Sequence, residues 1–385
     1  MISLSDLPIR DDLRGQEPYG APQIHVPIRL NVNENTHGIP PEVIDDIVAD
    51  IAAAVAGAHR YPDREFDELR SSLAGYLGHG LVPEQLWAAN GSNEVLQQFL
   101  QAFGGPGRSV LGFPPTYSMH PILAAGTGTT WIAGDRGANF ILTPELAVAA
   151  VAATQPSIVF LCSPNNPTGT PLDLAVIEAV YDATDGMVLV DEAYAEFAHA
   201  PSALALLPGR PRLAVSRTMS KAFAFAGVRL GFLAADPAVV DALRLVRLPY
   251  HLSALTQAAA VAALRHAPAM LATVDTIAAE RDRMVAALPE LGFPTFESDA
   301  NFVLFGGVRQ PKALFEALLE RGVIIRDVGI PHTLRVTAGT PAETDALLAA
   351  LAELAPIHAI ASGDISAETN AGISGDAAPS VESPS

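Results

Sequence analysis

Lysine is nearly absent from this chain: 385 residues contain Lys221, Lys312 and no other, and arginine guanidinium groups supply the rest of the Lys and Arg charge. Basic residues as a whole are scarce, 23 Lys and Arg against 42 Asp and Glu, for a formal net charge of −19. Nucleic acid and anionic membranes repel such a chain at long range, so neither is expected as a partner. Cysteine occurs once, as Cys162. That excludes an internal disulfide and fits a reducing compartment. Cys162 ends the apolar run Ser157-Ile158-Val159-Phe160-Leu161, where a buried structural thiol is expected rather than a nucleophile. Ten histidines are present, yet none lies in an HExxH motif or a Cys/His cluster with metal-ligand spacing, so no metal site is expected. The longest uncharged run, 146–172, is broken by Thr154-Gln155-Pro156 and Asn165-Asn166-Pro167 and reads as a helix, a turn and a buried strand, not a membrane span. Residues 1–12 lack a basic stretch followed by an apolar one, so no secretory signal is expected and the cytoplasm is the default location.

What is present is a globular pattern, with 49% hydrophobic and 17% charged residues. The length exceeds what one small core organises, and two domains are expected. Short apolar runs alternate with longer Ala/Leu-rich helical stretches from about 41 to 288. Strands are expected at 87–90, 109–113, 158–162, 187–191, 212–216 and 228–234. Such alternation predicts an α/β unit with a mostly parallel central sheet flanked by helices. Strands at 301–305, 323–326 and 333–337, with helices at 311–321 and 341–354, predict a smaller α+β domain. The division expected is 1–45 as an N-terminal arm and part of the small domain, 46–287 as the large domain and 288–356 as the small domain. From 359 to 385 the chain turns to Ala, Ser, Gly and Pro with Asp364, Glu368, Asp376 and Glu382 and no basic residue, which predicts a disordered acidic tail.

Ligands of open α/β sheets sit beyond the carboxyl ends of strands, and several polar clusters fall there. Asp191 directly follows Met187-Val188-Leu189-Val190, with Tyr194 three residues on. Ser163-Pro164-Asn165-Asn166-Pro167-Thr168-Gly169 follows Cys162. Asn90-Gly91-Ser92-Asn93-Glu94 follows Trp87-Ala88-Ala89 and opens a helical run at 95–103. Lys221 lies within Thr218-Met219-Ser220-Lys221-Ala222-Phe223-Ala224-Phe225-Ala226-Gly227-Val228-Arg229, a setting of hydroxyls, small residues and a nearby arginine that suits a Schiff-base amine. Lys312, in Pro311-Lys312-Ala313-Leu314-Phe315-Glu316, reads as an exposed helix residue. Singly, each cluster is an ordinary turn, cap or ion-pair residue. Together they suit pyridoxal 5'-phosphate: a strand-end carboxylate keeps the pyridine nitrogen protonated, a helix N-terminus at Ser92 and Asn93 takes the phosphate, and Arg229 pairs with it bidentately.

With these residues in order, the chain resembles the fold type I pyridoxal-phosphate-dependent aminotransferases, and within them the actinobacterial group acting on histidinol phosphate. The resemblance runs from about 7 to 354. Its further carriers are Leu13-Arg14-Gly15-Gln16-Glu17-Pro18-Tyr19-Gly20, Leu30-Asn31-Val32-Asn33-Glu34-Asn35, Arg60-Tyr61-Pro62-Asp63, Pro114-Pro115-Thr116-Tyr117, Asp191-Glu192-Ala193-Tyr194, Ile325-Arg326-Asp327-Val328-Gly329 and Leu334-Arg335-Val336-Thr337. It implies that Lys221 holds the cofactor through its amine, with Asp191 on the pyridine nitrogen, Asn166 and Tyr194 on the ring oxygen and Tyr117 stacked on the ring. It implies a phosphate site of Thr218, Ser220, Arg229 and the Ser92 and Asn93 backbone. It further implies a homodimer in which Tyr61 reaches the other subunit's cofactor phosphate. Tyr19, Arg326 and Arg335, with Asn166, would bind the substrate, the first three gathering its anionic end. The expected reaction is amino transfer between L-histidinol phosphate and 2-oxoglutarate, with Lys221, Asp191 and Tyr194 as catalytic residues.

One departure is visible. After Asn33-Glu34-Asn35 the family usually carries Pro and an aromatic, whereas this chain has Thr36-His37-Gly38, with His37 expected at the surface. Two neighbouring activities share the scaffold. One is aromatic amino acid amino transfer. The other is decarboxylation of a phospho-amino acid, which would use the same Lys221 and Asp191 but require no keto acid.

Overall fold

The computed structural model describes residues 2–3, 6–15, 20 and 22–360. Along the chain run β1 (Ile28–Arg29), α1 (Pro41–Ala56), α2 (Asp67–Leu77), β2 (Leu86–Ala89), α3 (Ser92–Phe103), β3 (Ser109–Gly112), α4 (Met119–Thr127) and β4 (Thr130–Ala133). There follow α5 (Pro144–Thr154), β5 (Ile158–Cys162), α6 (Leu174–Ala183), β6 (Met187–Asp191), β7 (Leu213–Thr218) and β8 (Gly231–Ala235). The remainder comprises α7 (Pro237–Val246), α8 (Ala254–Arg265), α9 (Ala267–Met270), α10 (Val274–Glu290), β9 (Phe302–Phe305), α11 (Pro311–Glu320), β10 (Val323–Ile324), β11 (Leu334–Thr337) and α12 (Pro341–His358).

Seven strands form one sheet in the order β2-β8-β7-β6-β5-β3-β4. All neighbouring pairs are parallel except those involving β8. β5 and the last four residues of β6 are buried throughout, as strands covered by helices on both faces must be. The carboxyl ends of β2, β3, β5, β6 and β7 therefore point to one edge of the sheet, where the next polar residues emerge. In register, Cys162 pairs with Asp191 and Asp191 with Ser216, so the strand-end residues stand side by side.

Two hydrophobic clusters organise the described residues. One surrounds the seven-stranded sheet, with Trp87, Phe99, Phe160 and Phe232 among its large side chains. The other gathers β9, β11, α11 and α12 together with Leu30, Tyr194 and Phe197. Ile277 and Met284 of α10 belong to this second cluster, upstream of the expected division at 288. The reason is that α10 packs its apolar face on β9 and α12. β9 and β11 pair antiparallel, and β10 pairs in parallel with β1 from the N-terminal segment. α12 starts with a capping box: Thr340 Oγ1 accepts from the Glu343 amide at 3.3 Å, and Glu343 accepts from the Thr340 amide at 2.8 Å.

Three expectations need correction. The strand expected at 228–234 begins only at Gly231, because Arg229 adopts φ +65° and turns the chain before it. β1 and β4 were not expected as strands: β1 is only two residues long, and β4, Thr130–Ala133, is a half-exposed edge strand. Ala359 and Ile360, placed in the expected disordered tail, are bound: Ala359 bridges Val308, and the Ile360 amide donates to Gly307 O at 2.8 Å. The rest of that tail, 361–385, lies outside the described residues. Among the described residues no helix is long and apolar enough to cross a membrane.

Candidate active site

The side chains singled out from the sequence converge on the carboxyl edge of the sheet. Asp191, the last residue of β6, is 1% exposed. Its Oδ2 lies 3.2 Å from His120 Nε2, and its Oδ1 accepts from Ser216 Oγ at 3.4 Å. A carboxylate so enclosed keeps its charge only with such partners or a cationic ligand group. His120 is itself 1% exposed and lies edge-on to the rings of Tyr117 and Phe160. Sequence reasoning did not single it out. It follows Tyr117 by three residues, its amide donating to the Tyr117 carbonyl at 2.9 Å, but nothing in the sequence marks Asp191 as its partner.

Lys221 follows β7 and stretches its Nζ to the carbonyl of Val32 at 3.0 Å, with the Tyr194 ring 5.9 Å away. Burial, reinforced by the charges of Arg335 and Arg229 and opposed by Glu34, brings its pKa down to about 8. An amine so tuned keeps a neutral, nucleophilic fraction near physiological pH that an ordinary lysine lacks, although the protonated form still predominates there. Tyr194 is buried, and its hydroxyl accepts from Asn33 Nδ2 at 2.9 Å and Asn166 Nδ2 at 3.2 Å. Burial pushes the ionisation of this phenol well above the ordinary tyrosine range. Asn33 lay within the Leu30–Asn35 motif, which did not specify this contact.

A phosphate-sized cradle sits beside Lys221. Arg229 Nη1 donates to Ser220 Oγ at 3.4 Å, Thr218 Oγ1 donates to Ser220 Oγ at 3.0 Å, and the Ser220 amide donates to Thr218 Oγ1 at 3.1 Å. A Cβ at Gly91 would stand 2.3 Å from Arg229 Nη2, and one at Gly231 would stand 2.1 Å from the amide nitrogen of Ser92. Both glycines thus let the arginine and β8 close onto the N-terminus of α3. The first amides of α3, those of Ser92 and Asn93, have no acceptor within the helix. Arg229 makes no ion pair with a carboxylate among the described residues. Unmatched donors of this kind, pooled at a helix N-terminus, suit an anion. Tyr117 donates to Asn93 Oδ1 at 3.1 Å, setting its ring beside the cradle.

On the other flank, Arg335 of β11 is buried and donates to Asn166 Oδ1 at 2.5 Å and to Asn31 O at 3.0 Å. Arg326 pairs with Arg335 backbone to backbone in both directions at 2.9 Å, and its Nη2 donates to Gly20 O at 3.1 Å. The two arginines expected at the substrate's anionic end are therefore neighbours. Tyr19 lies outside the described residues. Tyr61 does not join the cluster: it is 78% exposed and stacks on Tyr250, centroids 4.3 Å apart. Lys312 is exposed on α11, far from this chemistry in role. Cys162 is buried, and burial holds its thiol well above the ordinary cysteine range, in keeping with an inert structural side chain.

The arrangement joins an anion cradle, a buried carboxylate and a depressed-pKa amine, the parts that a phosphorylated pyridine aldehyde requires. Residues 26–351 match the model of the class I and II aminotransferases, and the chain belongs to that family. A histidinol-phosphate aminotransferase of Paenarthrobacter aurescens is 62% identical over 356 residues, covering 91% of this chain and 96% of that one. The chain stands, within the family, among the histidinol-phosphate aminotransferases. The crystal structure of histidinol-phosphate aminotransferase from Sinorhizobium meliloti in complex with pyridoxal-5'-phosphate shares the fold with a TM-score of 0.76 at 26% identity, covering 86% of this chain and 91% of that one. So does L-threonine-O-3-phosphate decarboxylase from Porphyromonas gingivalis, with a TM-score of 0.72 at 20% identity over 85% of this chain and 99% of that one. The fold alone therefore does not choose between amino transfer and decarboxylation.

Proposed function

We propose that this protein transfers the amino group of L-histidinol phosphate to 2-oxoglutarate, giving imidazole-acetol phosphate and L-glutamate in histidine biosynthesis. The observation that carries the reading is the 62% identity, over nearly the whole of both chains, to a relative bearing that activity in its name. Pyridoxal 5'-phosphate is the cofactor: the residues fit it, since the cradle offers donors for a phosphate, Lys221 an amine for the aldehyde and Asp191 a buried carboxylate for the pyridine nitrogen. When bound, it supplies an electrophilic aldehyde and an electron sink for the pair left by a departing Cα proton.

The chain's own residues do the rest. Arg229, Thr218, Ser220 and the Ser92 and Asn93 amides would hold the phosphate, and Tyr117 would stack on the ring. Asp191, held by His120 and Ser216, would keep a proton on the pyridine nitrogen. Asn166 and Tyr194 would bind the ring oxygen. Lys221 would anchor the cofactor through Nζ and, once displaced by the incoming amine, take the proton from the substrate Cα at the same atom. Its pKa of about 8 suits both tasks. Arg326 and Arg335, with Tyr19, would receive the phosphate of one substrate and the distal carboxylate of the other, since both offer paired anionic oxygens.

The enzyme would act as a homodimer in the cytoplasm. The exposed Tyr61 and Tyr250 stack, with Leu245 at 86% and Leu248 at 75% exposure nearby in sequence, supports a covering subunit there. The division into an arm at 1–45, a large unit at 46–287 and a small one at 288–356 is supported by the two hydrophobic clusters, α10 excepted. The test is a half-reaction: the pyridoxal form is mixed with L-histidinol phosphate, or with phenylalanine, without keto acid, and its absorbance is followed. Rapid conversion by histidinol phosphate alone supports the reading. Rapid conversion by phenylalanine instead moves the enzyme to aromatic amino acids, and product formation without any need for 2-oxoglutarate would mark a decarboxylase.

A further inference from the structure

The edge strand β4 runs on into Gly134-Asp135-Arg136-Gly137, and Arg136 is only 3% exposed. A buried arginine ordinarily has a carboxylate beside it. Arg136 has none among the described residues: its Nε donates to Phe140 O at 2.9 Å, and its buried Nη2 has no hydrogen-bond partner. Burial lowers its pKa from 12.5 to about 10. The turn that this guanidinium holds is itself strained. Gly137, Asn139 and Phe140 lie in the left-handed region at φ +82°, +52° and +61°, an unfavourable backbone for a side chain as bulky as that of Phe140. Two costs thus meet in one turn, and neither is offset by a pairing within it.

What the turn presents is one carbonyl. Phe140 O accepts from Arg136 Nε and, at 3.2 Å, from Thr170 Oγ1. From Thr170 a buried relay runs inward: Thr168 Oγ1 lies 2.8 Å from Thr170 Oγ1 and accepts from Asn165 Nδ2 at 2.8 Å. Because Thr170 donates to Phe140 O, Thr168 donates to Thr170, and every proton of the relay points toward that carbonyl. Asn165 Nδ2 also donates to Pro115 O at 2.9 Å, two residues before Tyr117. The backbone closes the turn, the Asn165 amide donating to Thr170 O at 2.9 Å and the Gly169 amide to Asn165 O at 2.7 Å. Asn166, the next residue, meets the Tyr194 hydroxyl and Arg335. The far side of the turn rests on 298–299: the Asp299 amide donates to Gly169 O at 2.9 Å, and a Cβ at Gly169 would stand 2.4 Å from Ser298 Oγ.

We propose that Arg136 is a positioning residue: by fixing Phe140 O it anchors the Asn165–Thr170 turn, and so holds the Asn166 amide against Tyr194 for its contact with the cofactor's ring oxygen. Arg136 acts through the relay, not on the reacting atoms. Its charge strengthens the hydrogen bond to Phe140 O beyond what a neutral donor supplies, which gives the uncompensated guanidinium a use. The role rests on the reading of Asn166 as the ring-oxygen contact, whereas the hold on the turn does not depend on it.

The test compares the full-length wild type with Arg136→Met and with Thr170→Val, which breaks the same relay one link further on and leaves the buried charge in place. Hydrogen exchange across 163–172 is expected to quicken roughly 10- to 100-fold in Arg136→Met, the range for a lost hydrogen bond from a charged donor, and about fivefold in Thr170→Val, while β5 and β6 stay protected. Unchanged exchange in both variants overturns the proposal. Faster exchange throughout the fold in Arg136→Met marks a folding defect, and Thr170→Val then decides. The second readout is the pH midpoint of the holoenzyme's cofactor absorbance, followed also in Asn166→Ala and in the Arg136→Met/Asn166→Ala double variant. A donor on the ring oxygen changes that midpoint, so Arg136→Met should shift it in the same direction as Asn166→Ala, by less, and should add nothing once Asn166 is gone. Additive shifts, or a shift in Asn166→Ala alone, overturn the role. Should Asn166→Ala shift nothing, the ring-oxygen reading falls and the role with it, while the exchange still shows whether Arg136 holds the turn.

Discussion

Replacing Lys221 by methionine in the cofactor-free protein should raise its stability, and the gain should disappear as pH rises. The wild-type native state must keep a charged amine in a largely enclosed position, where its pKa is lowered from 10.5 to about 8. The unfolded chain binds that proton up to about pH 10.4. Between these values the unfolded state holds more protons than the native one, so the lysine's penalty is complete below pH 8 and vanishes toward pH 10.5. The 10.5 − 8 difference, 2.5 units, at about 1.36 kcal/mol per unit, sets an upper bound of about 3 kcal/mol. The side chain as a whole is half-buried, and residual hydration reduces the effect to about 1–3 kcal/mol. Methionine has no proton to gain, while its packing and the loss of the Val32 hydrogen bond add an offset that does not depend on pH. Urea unfolding of both proteins, at one protein concentration, at pH 7 and pH 10 isolates the titrating part. The methionine variant should gain at least 1 kcal/mol relative to wild type on going from pH 10 to pH 7. A stability gap that stays constant, or widens with rising pH, refutes the reasoning.

Other consequences are equally specific. Asp191→Ala should lower kcat by at least about 100-fold with little change in folding, because the pyridine nitrogen loses the charge that holds its proton; an unaltered rate removes Asp191 from that role. Gly231→Ala would drive a Cβ to 2.1 Å from the Ser92 amide nitrogen and 2.3 Å from Gly91 C, and this backbone clash should cost about 1–3 kcal/mol in thermal unfolding and weaken retention of the cofactor. Full stability in that variant would show that β8 and the start of α3 are not in contact. Arg335→Ala should raise KM for histidinol phosphate and for 2-oxoglutarate together, since both would lean on one guanidinium; a change confined to one substrate would separate their sites.

Much of this architecture is legible in the sequence, for physical reasons. β5 and β6 are strands whose apolar runs end abruptly in Cys162 and Asp191, so their limits coincide with a change in polarity that the sequence displays directly. β8 was read three residues too long because Val228 and Leu230 look like strand residues, whereas the left-handed turn at Arg229 depends on the close approach of Gly231 to Ser92. β1 exists only because β10, almost 300 positions later, offers a partner: Ile28 pairs with Val323. Of the site, Lys221, Asp191, Arg229 and Ser220 could be named because their residue types are rare or telling in their context. His120 and Asn33 could not. Each earns its contact through tertiary approach, His120 to Asp191 and Asn33 to Tyr194 across 161 positions, and neither histidine nor asparagine announces such a partner locally.

The central claim is that Lys221 holds the cofactor, and the near absence of lysine makes it directly measurable. The holoenzyme is treated with borohydride, which fixes a lysine-bound pyridoxyl group irreversibly, then digested and mapped by mass spectrometry. The account predicts one modified peptide, carrying the added mass on Lys221, with Lys312 unmodified. Modification of Lys312, or a bound cofactor that leaves both lysines unlabelled, would contradict it.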